Sequence, residues 1–123
     1  MDAKMGNTED RECRLRLLAL LDSLELLGGK WKLLLILYLG YRQEERTNFR
    51  RIQKELGGIS SKVLASELRV LEENDIVRRT IQPTTVDYTL TDYGRKLMPI
   101  ARELQQWGIN HRERILGKTN EEG

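Results

Sequence analysis

Leu17, Leu20, Leu21, Leu24 and Leu27 recur at three- and four-residue spacing, and this pattern predicts a helix from Asp10 to Leu27. Leu15, Leu18, Ala19 and Leu26 fall on a second side, so only Arg14, Arg16, Asp22 and Glu25 make a polar seam. A helix apolar on two sides calls for two partners. In a terminal segment of so short a chain, one of them is expected to be another subunit; a central position in its own domain is the alternative. Residues 1–9 are polar without periodicity and are expected to be a flexible N-terminus. Gly28-Gly29 ends the first pattern. Leu33 to Leu39 then forms an unbroken apolar run, for which periodicity does not separate a strand from a helix. Leucine favours the helix and β-branched residues are nearly absent, so Lys30 to Leu39 is expected to be a central core helix closed by Gly40. A charged loop, 41–46, follows.

Phe49, Ile52 and Leu56 have helical spacing within 47–56, and Gly57-Gly58 breaks that segment. The next helix is sharply specified. Ser60 is a natural N-cap, Ile59 before it can staple onto Leu64, and Leu64, Leu68 and Leu71 form a narrow apolar stripe flanked by Val63 and Val70. The opposite side carries Lys62, Ser66 and Arg69, with small Ala65 beside them, a surface able to press closely against a large molecule and hydrogen-bond to it. Two helices joined by a short glycine-containing turn, spanning 47–75, predict a helix-turn-helix whose second helix, 60–75, enters the major groove of DNA. Residues 76–81 and 86–90 are rich in β-branched and aromatic positions around the turn Gln82-Pro-Thr-Thr85, and together predict a two-stranded wing over 76–90. After the wing, Leu97, Ile100, Ala101, Leu104, Trp107 and Ile115 share one face of a helix expected over 92–116, with a kink or break at Pro99 and a polar tail, 117–123. The expected fold class is α+β, mostly α: a winged helix-turn-helix in one domain with added N- and C-terminal helices. The surplus length of the last helix makes it, with 10–27, the expected dimerisation surface, through Leu15, Leu18, Leu26, Trp107 and Ile115.

Composition alters this picture little. The chain has 123 residues and a net charge of +2. Residues 46–85 hold eight Lys or Arg against five acids, while the remainder is nearly balanced, so the basic excess lies in the winged-helix segment. The candidate DNA contacts are Lys62, Ala65, Ser66 and Arg69 in the groove and Ser60 and Ser61 at the helix N-terminus, where amides and the helix dipole favour phosphate. Arg50, Arg51, Arg78, Arg79, Thr84 and Thr85 complete the set, flanking the helix or lying on the wing. One His, one Cys and no phosphate-cradling glycine loop argue against catalysis, and no Cys or His pair has metal-ligand spacing, so no catalytic residue, cofactor or metal is expected. The absence of a signal-peptide pattern or a long apolar run leads to the expectation of a cytoplasmic protein with no membrane partner. An interaction module that uses the same exposed helix to bind protein, without DNA, is the competing class; it predicts a weaker dependence on salt.

Leu27-Gly-Gly-Lys-Trp-Lys-Leu-Leu-Leu-Ile-Leu, Phe49-Arg-Arg-Ile, Gly58-Ile-Ser60, Leu64-Ala-Ser-Glu-Leu-Arg-Val-Leu-Glu-Glu, Val77-Arg-Arg, Tyr88-Thr-Leu-Thr-Asp-Tyr-Gly94 and Trp107-Gly108 occur in an order that resembles the HxlR-type bacterial winged-helix transcriptional regulators, relatives of the MarR group. The resemblance covers roughly residues 18 to 108. It implies a dimeric, sequence-specific DNA-binding regulator whose terminal helices make the dimer. A homodimer presenting two copies of the 60–75 helix is expected to recognise an inverted-repeat operator in double-stranded DNA. Some members of that family sense oxidants or electrophiles through a cysteine shortly before the Gly-Gly pair. That place is held here by Leu18, and the candidate redox residue Cys13 lies further upstream. Asn48 stands where the family tends to have Arg, and Gly57 where it often has Pro.

Overall fold

A computed structural model of the chain describes residues 8–43 and 45–122, with side chains through Gly117. Helix α1 spans Thr8–Leu27. It begins two residues before the expected start, because Glu9 and Asp10 place negative charge in its first turn, where the helix dipole is favourable. The expected flexible terminus is therefore shorter by Thr8 and Glu9, and its residues 1–7 lie outside the described residues. The helix buries none of its residues. At its end the Gly28 amide donates to the Leu24 carbonyl, 2.7 Å away.

The second unit of the chain begins at Trp31. Helix α2, Lys32–Tyr41, supplies Leu35, Ile36 and Leu39 to the core. It runs through Gly40, which is a packing glycine and not the expected stop. A Cβ there would lie 2.1 Å from the Met98 sulfur, so the bare backbone is what lets Met98 lie against α2. Helices α3 (Phe49–Leu56) and α4 (Ser61–Glu73) follow. Asn48 caps α3 by accepting from the Arg51 amide, which starts the helix two residues later than the pattern over 47–56 suggests. Gly57 closes it at φ 69° and Gly58 follows at φ 75°. Proline cannot adopt that φ, so the turn found here excludes proline at position 57. Ser60 caps α4 as expected, accepting from the Val63 amide at 3.1 Å. Leu64, Leu68 and Leu71 are buried beneath it.

Strands β1 (Val77–Ile81) and β2 (Val86–Leu90) pair antiparallel, with Val77 opposite Leu90 and Arg79 opposite Tyr88. A short third rung joins them. The Tyr88 amide donates to the Thr47 carbonyl at 2.9 Å, and Asn48 bridges Asp87, so the residue that caps α3 also extends the sheet. Thr91 then caps a four-residue helix, α5 (Asp92–Arg95), by accepting from the Gly94 amide, while its hydroxyl donates to the Asp75 carbonyl. The expected single helix over 92–116 is in fact two. Its break falls at Lys96-Leu97, and α6 runs over Met98–Glu122. Pro99 lies in the first turn of α6, where a missing amide costs little. The expected polar tail is largely helix, since α6 continues through residues 117–122. Of α6, Met98 and Ala101 are buried; Ile100, Leu104 and Trp107, expected on one face with Ala101, are exposed.

Lys32 and Glu67 tie α2 to α4. The ammonium lies 2.6 Å from Glu67 Oε1, and it is the only polar partner that oxygen has among the described residues.

Candidate nucleic-acid interface

The leucine stripe of α4 fixes which side of that helix remains outside. Lys62, Ala65, Ser66 and Arg69 are all exposed on it, as the spacing predicts. Ser60 and Ser61 are exposed as well, but both hydroxyls have internal roles. Ser60 caps the helix, and Ser61 accepts from the Gln53 amide group at 3.0 Å. Gln53 also donates to the Ile59 carbonyl, so one side chain of α3 braces the turn that delivers α4.

Each of the two arginine pairs is divided by its element. Arg50 is exposed on α3. Arg51, three to four residues from Asn48 and Glu55 on the same helix, is drawn into a cluster. Its guanidinium lies 2.7 Å from Glu45 and 3.5 Å from Glu55, and donates to the Arg46 carbonyl. Arg42 reaches Glu55 at 3.0 Å, and the Tyr38 hydroxyl donates to the same carboxylate. Burial and the Glu55 charge push the Tyr38 hydroxyl from 10.0 up to about 12. The Tyr38 hydrogen bond, with Arg42 and Arg51 nearby, holds the Glu55 carboxyl below its ordinary value, and the bond to Glu45 raises the Arg51 guanidinium. Arg51 is thus engaged inside the protein. Tyr38, Arg42, Glu45 and Glu55 escaped sequence reasoning, although Arg51 and Glu55 at i,i+4 are a readable signal.

Arg78 and Arg79 are neighbours on a strand and so point to opposite faces. Arg79 shares the face of Val77, Tyr88 and Leu90, and its Nε lies 3.5 Å from Glu72 in the last turn of α4. Arg69, Glu72, Arg79 and Tyr88 border a shallow depression of about 280 Å³ floored by Phe49, Ala65 and Leu68. Burial raises the Tyr88 hydroxyl, with Arg79 opposing and Glu72 adding to the shift. At the wing turn, the Gln82 amide donates to the Thr85 carbonyl at 2.7 Å; Thr84 is exposed and Thr85 half-buried.

Elsewhere, Leu15 and Leu18 are exposed on α1 and Leu26 is half-buried. Cys13 is exposed on the same helix. Trp107 and Ile115 are exposed on α6, where the Trp107 ring stacks on His111 at 4.7 Å. Among the described residues no cluster of three or more His, Cys, Asp or Glu could hold a metal, and no helix is long and apolar enough to cross a membrane.

A helix-turn-helix with a capped, outward-facing second helix and an adjoining hairpin defines a winged-helix DNA-binding regulator. The HxlR-like helix-turn-helix family matches residues 26–115, and the chain belongs to it. The HTH-type transcriptional regulator YtcD of Bacillus subtilis is 34% identical over 100 residues, covering 79% of this chain and 77% of its own length. Its crystal structure superposes with a TM-score of 0.70 at 31% identity, over 76% of this chain and 96% of that one. YodB of Bacillus subtilis is 38% identical over 89 residues, covering 70% of this chain and 77% of its own length; its quinone-bound structure gives a TM-score of 0.62 at 33% identity, over 75% and 97%. The oxidised form of the redox regulator HypR gives 0.66 at 30% identity, over 75% and 95%. The family is one of transcriptional regulators, not of enzymes.

Proposed function

We propose that the protein acts as a homodimer that binds an inverted-repeat operator, with the exposed face of α4 in the major groove and the wing on the adjoining backbone or minor groove. The carrying observation is the exposed row of Lys62, Ser66 and Arg69 on a helix whose other side is fixed by buried leucines. Two such helices related by a dimer axis must reach one side of a duplex, which sets half-sites about 10 to 10.5 base pairs apart, or a multiple of that. Selection of bound sequences from a random duplex pool tests the reading directly. An enriched inverted repeat is expected; equal affinity for the selected and a scrambled duplex sinks sequence-specific regulation. Binding to no duplex at low salt leaves the protein-interaction module as the function. Arg69→Ala should cost about 1 to 3 kcal/mol on the selected site and relax preference at one position per half-site. Arg50 and Arg78 serve as backbone contacts in this reading, and Arg51 acts through the placement of α3.

Cys13 is read as an ordinary surface thiol, since the family's cysteine position holds Leu18 and Cys13 lies further upstream. Mild oxidant should leave DNA binding by the native protein and by Cys13→Ser alike. Loss in the native protein alone overturns this.

A further inference from the structure

Glu72 occupies an unexpected place for a DNA-binding surface. It lies in the last turn of α4, where the helix dipole disfavours a carboxylate, and it borders the same depression as Arg69 of that helix and Arg79 of the wing. Strand alternation turns Arg79 toward α4, and its guanidinium lies 3.5 Å from the Glu72 carboxylate. The side chains of Arg79 and Glu72 are 44% and 39% exposed, so the pair is open to exchange with solvent or with another anion. Arg78, on the opposite face of the strand, has no such carboxylate beside it among the described residues.

A carboxylate and a phosphate diester offer a guanidinium the same forked pair of anionic oxygens. We propose that Glu72 is a phosphate stand-in, clasping the wing's Arg79 against α4 in the free protein and yielding it to a DNA phosphate on binding. The inference rests on the DNA-binding reading above and assigns Glu72 a role that reading does not use. Because phosphates carry no sequence information, the exchange attenuates binding to all duplexes alike and leaves discrimination to the groove-facing side chains. Glu72 therefore restrains backbone-driven attachment to non-operator DNA without altering the preference for one sequence over another.

Four proteins separate this from simple repulsion between Glu72 and DNA: the unaltered chain, Glu72→Gln, Arg79→Ala and the double variant. Their affinities for the selected duplex and a scrambled one are measured by fluorescence anisotropy over a series of salt concentrations. Glu72→Gln is expected to tighten both duplexes by roughly three-fold per protomer, about ten-fold per dimer, the scale of an exposed ion pair. Arg79→Ala should weaken both and lower the salt slope by about 2 per dimer. In the Arg79→Ala background, Glu72→Gln should have little further effect. An equal gain in both backgrounds overturns the clasp and makes Glu72 a direct repeller of DNA, and no gain in either also overturns it. If the unaltered protein binds neither duplex, the DNA reading fails and the clasp with it. Glu72→Ala, which keeps helix propensity, repeats the comparison should the glutamine variant prove unstable.

Discussion

Two glycines show how differently one missing methyl group can matter. At Gly94 a Cβ would lie 2.1 Å from the Ile76 carbonyl oxygen, and that oxygen is held by the Thr91 amide at 3.0 Å. Backbone on both sides leaves nothing to give way. Gly94→Ala is therefore expected to cost about 3 kcal/mol, read from the urea midpoint. Gly40→Ala meets the Met98 side chain, which can turn aside, and should cost nearer 1 kcal/mol. The reverse order of the two midpoints would show that the Met98 contact is the more rigid. Tyr38 gives a residue-scale prediction in pH. Its hydroxyl is held to about 12 in the folded chain against an ordinary value of 10.0. The associated stability is whole below pH 10 and is lost as pH rises from there toward 12. Tyr38→Phe should flatten that alkaline decline. With solvent screening of a partly exposed group, the loss at neutral pH should be about 1 kcal/mol, measured by urea unfolding at pH 8 and pH 11.

Among the elements, the ion pair between Lys32 and Glu67 links α2 to α4. Its side chains are only 15% and 21% exposed, so removing one partner leaves a charge poorly solvated. Lys32→Met alone should cost about 2 to 3 kcal/mol, and Lys32→Met with Glu67→Leu should recover most of it, because the paired charges bring little net stability over apolar contact. Thermal melts of the three proteins check this, and a double variant no better than the single would point to a specific need for the carboxylate. Much at this scale was legible beforehand. The stripe of Leu64, Leu68 and Leu71, the Ser60 cap and the two runs rich in β-branched and aromatic residues around the Gln82–Thr85 turn are local signals, and helix α4 and the two strands appear where they point. What the sequence concealed depends on tertiary approach. Gly40 continues a helix because Met98 needs the space, and the late segment divides at Lys96-Leu97, ahead of Pro99. Among the candidate contacts, the outward row of α4 was readable from period alone. The division of Arg50 from Arg51 was readable only in part: Glu55 lies four residues from Arg51 on the same helix, but the nearer carboxylate, Glu45, lies in another segment.

At the scale of the molecule, α1 and α6 each leave large apolar side chains exposed. Leu15 and Leu21 are 65% and 58% exposed, and Trp107 on α6 is 63% exposed. Apolar surface on this scale is a recognised mark of association. Dimerisation through these helices predicts a scattering mass twice that of the 14.4 kDa chain at micromolar concentration, and a melting temperature that rises with protein concentration. A monomer with a concentration-independent melt would remove the homodimer and weaken the inverted-repeat reading with it.

The rung between Thr47 and Tyr88 has a mechanical consequence. A hairpin fastened at one edge alone can swing about its root like a door. This one is also latched from the side, by the residues that start α3. A push on the wing tip is therefore carried into the first turn of α3, and through the Gln53 brace into the turn before α4. Wing and α4 are thus joined through the start of α3, so in the binding mode proposed above a change in groove width would be felt as misfit at both places at once.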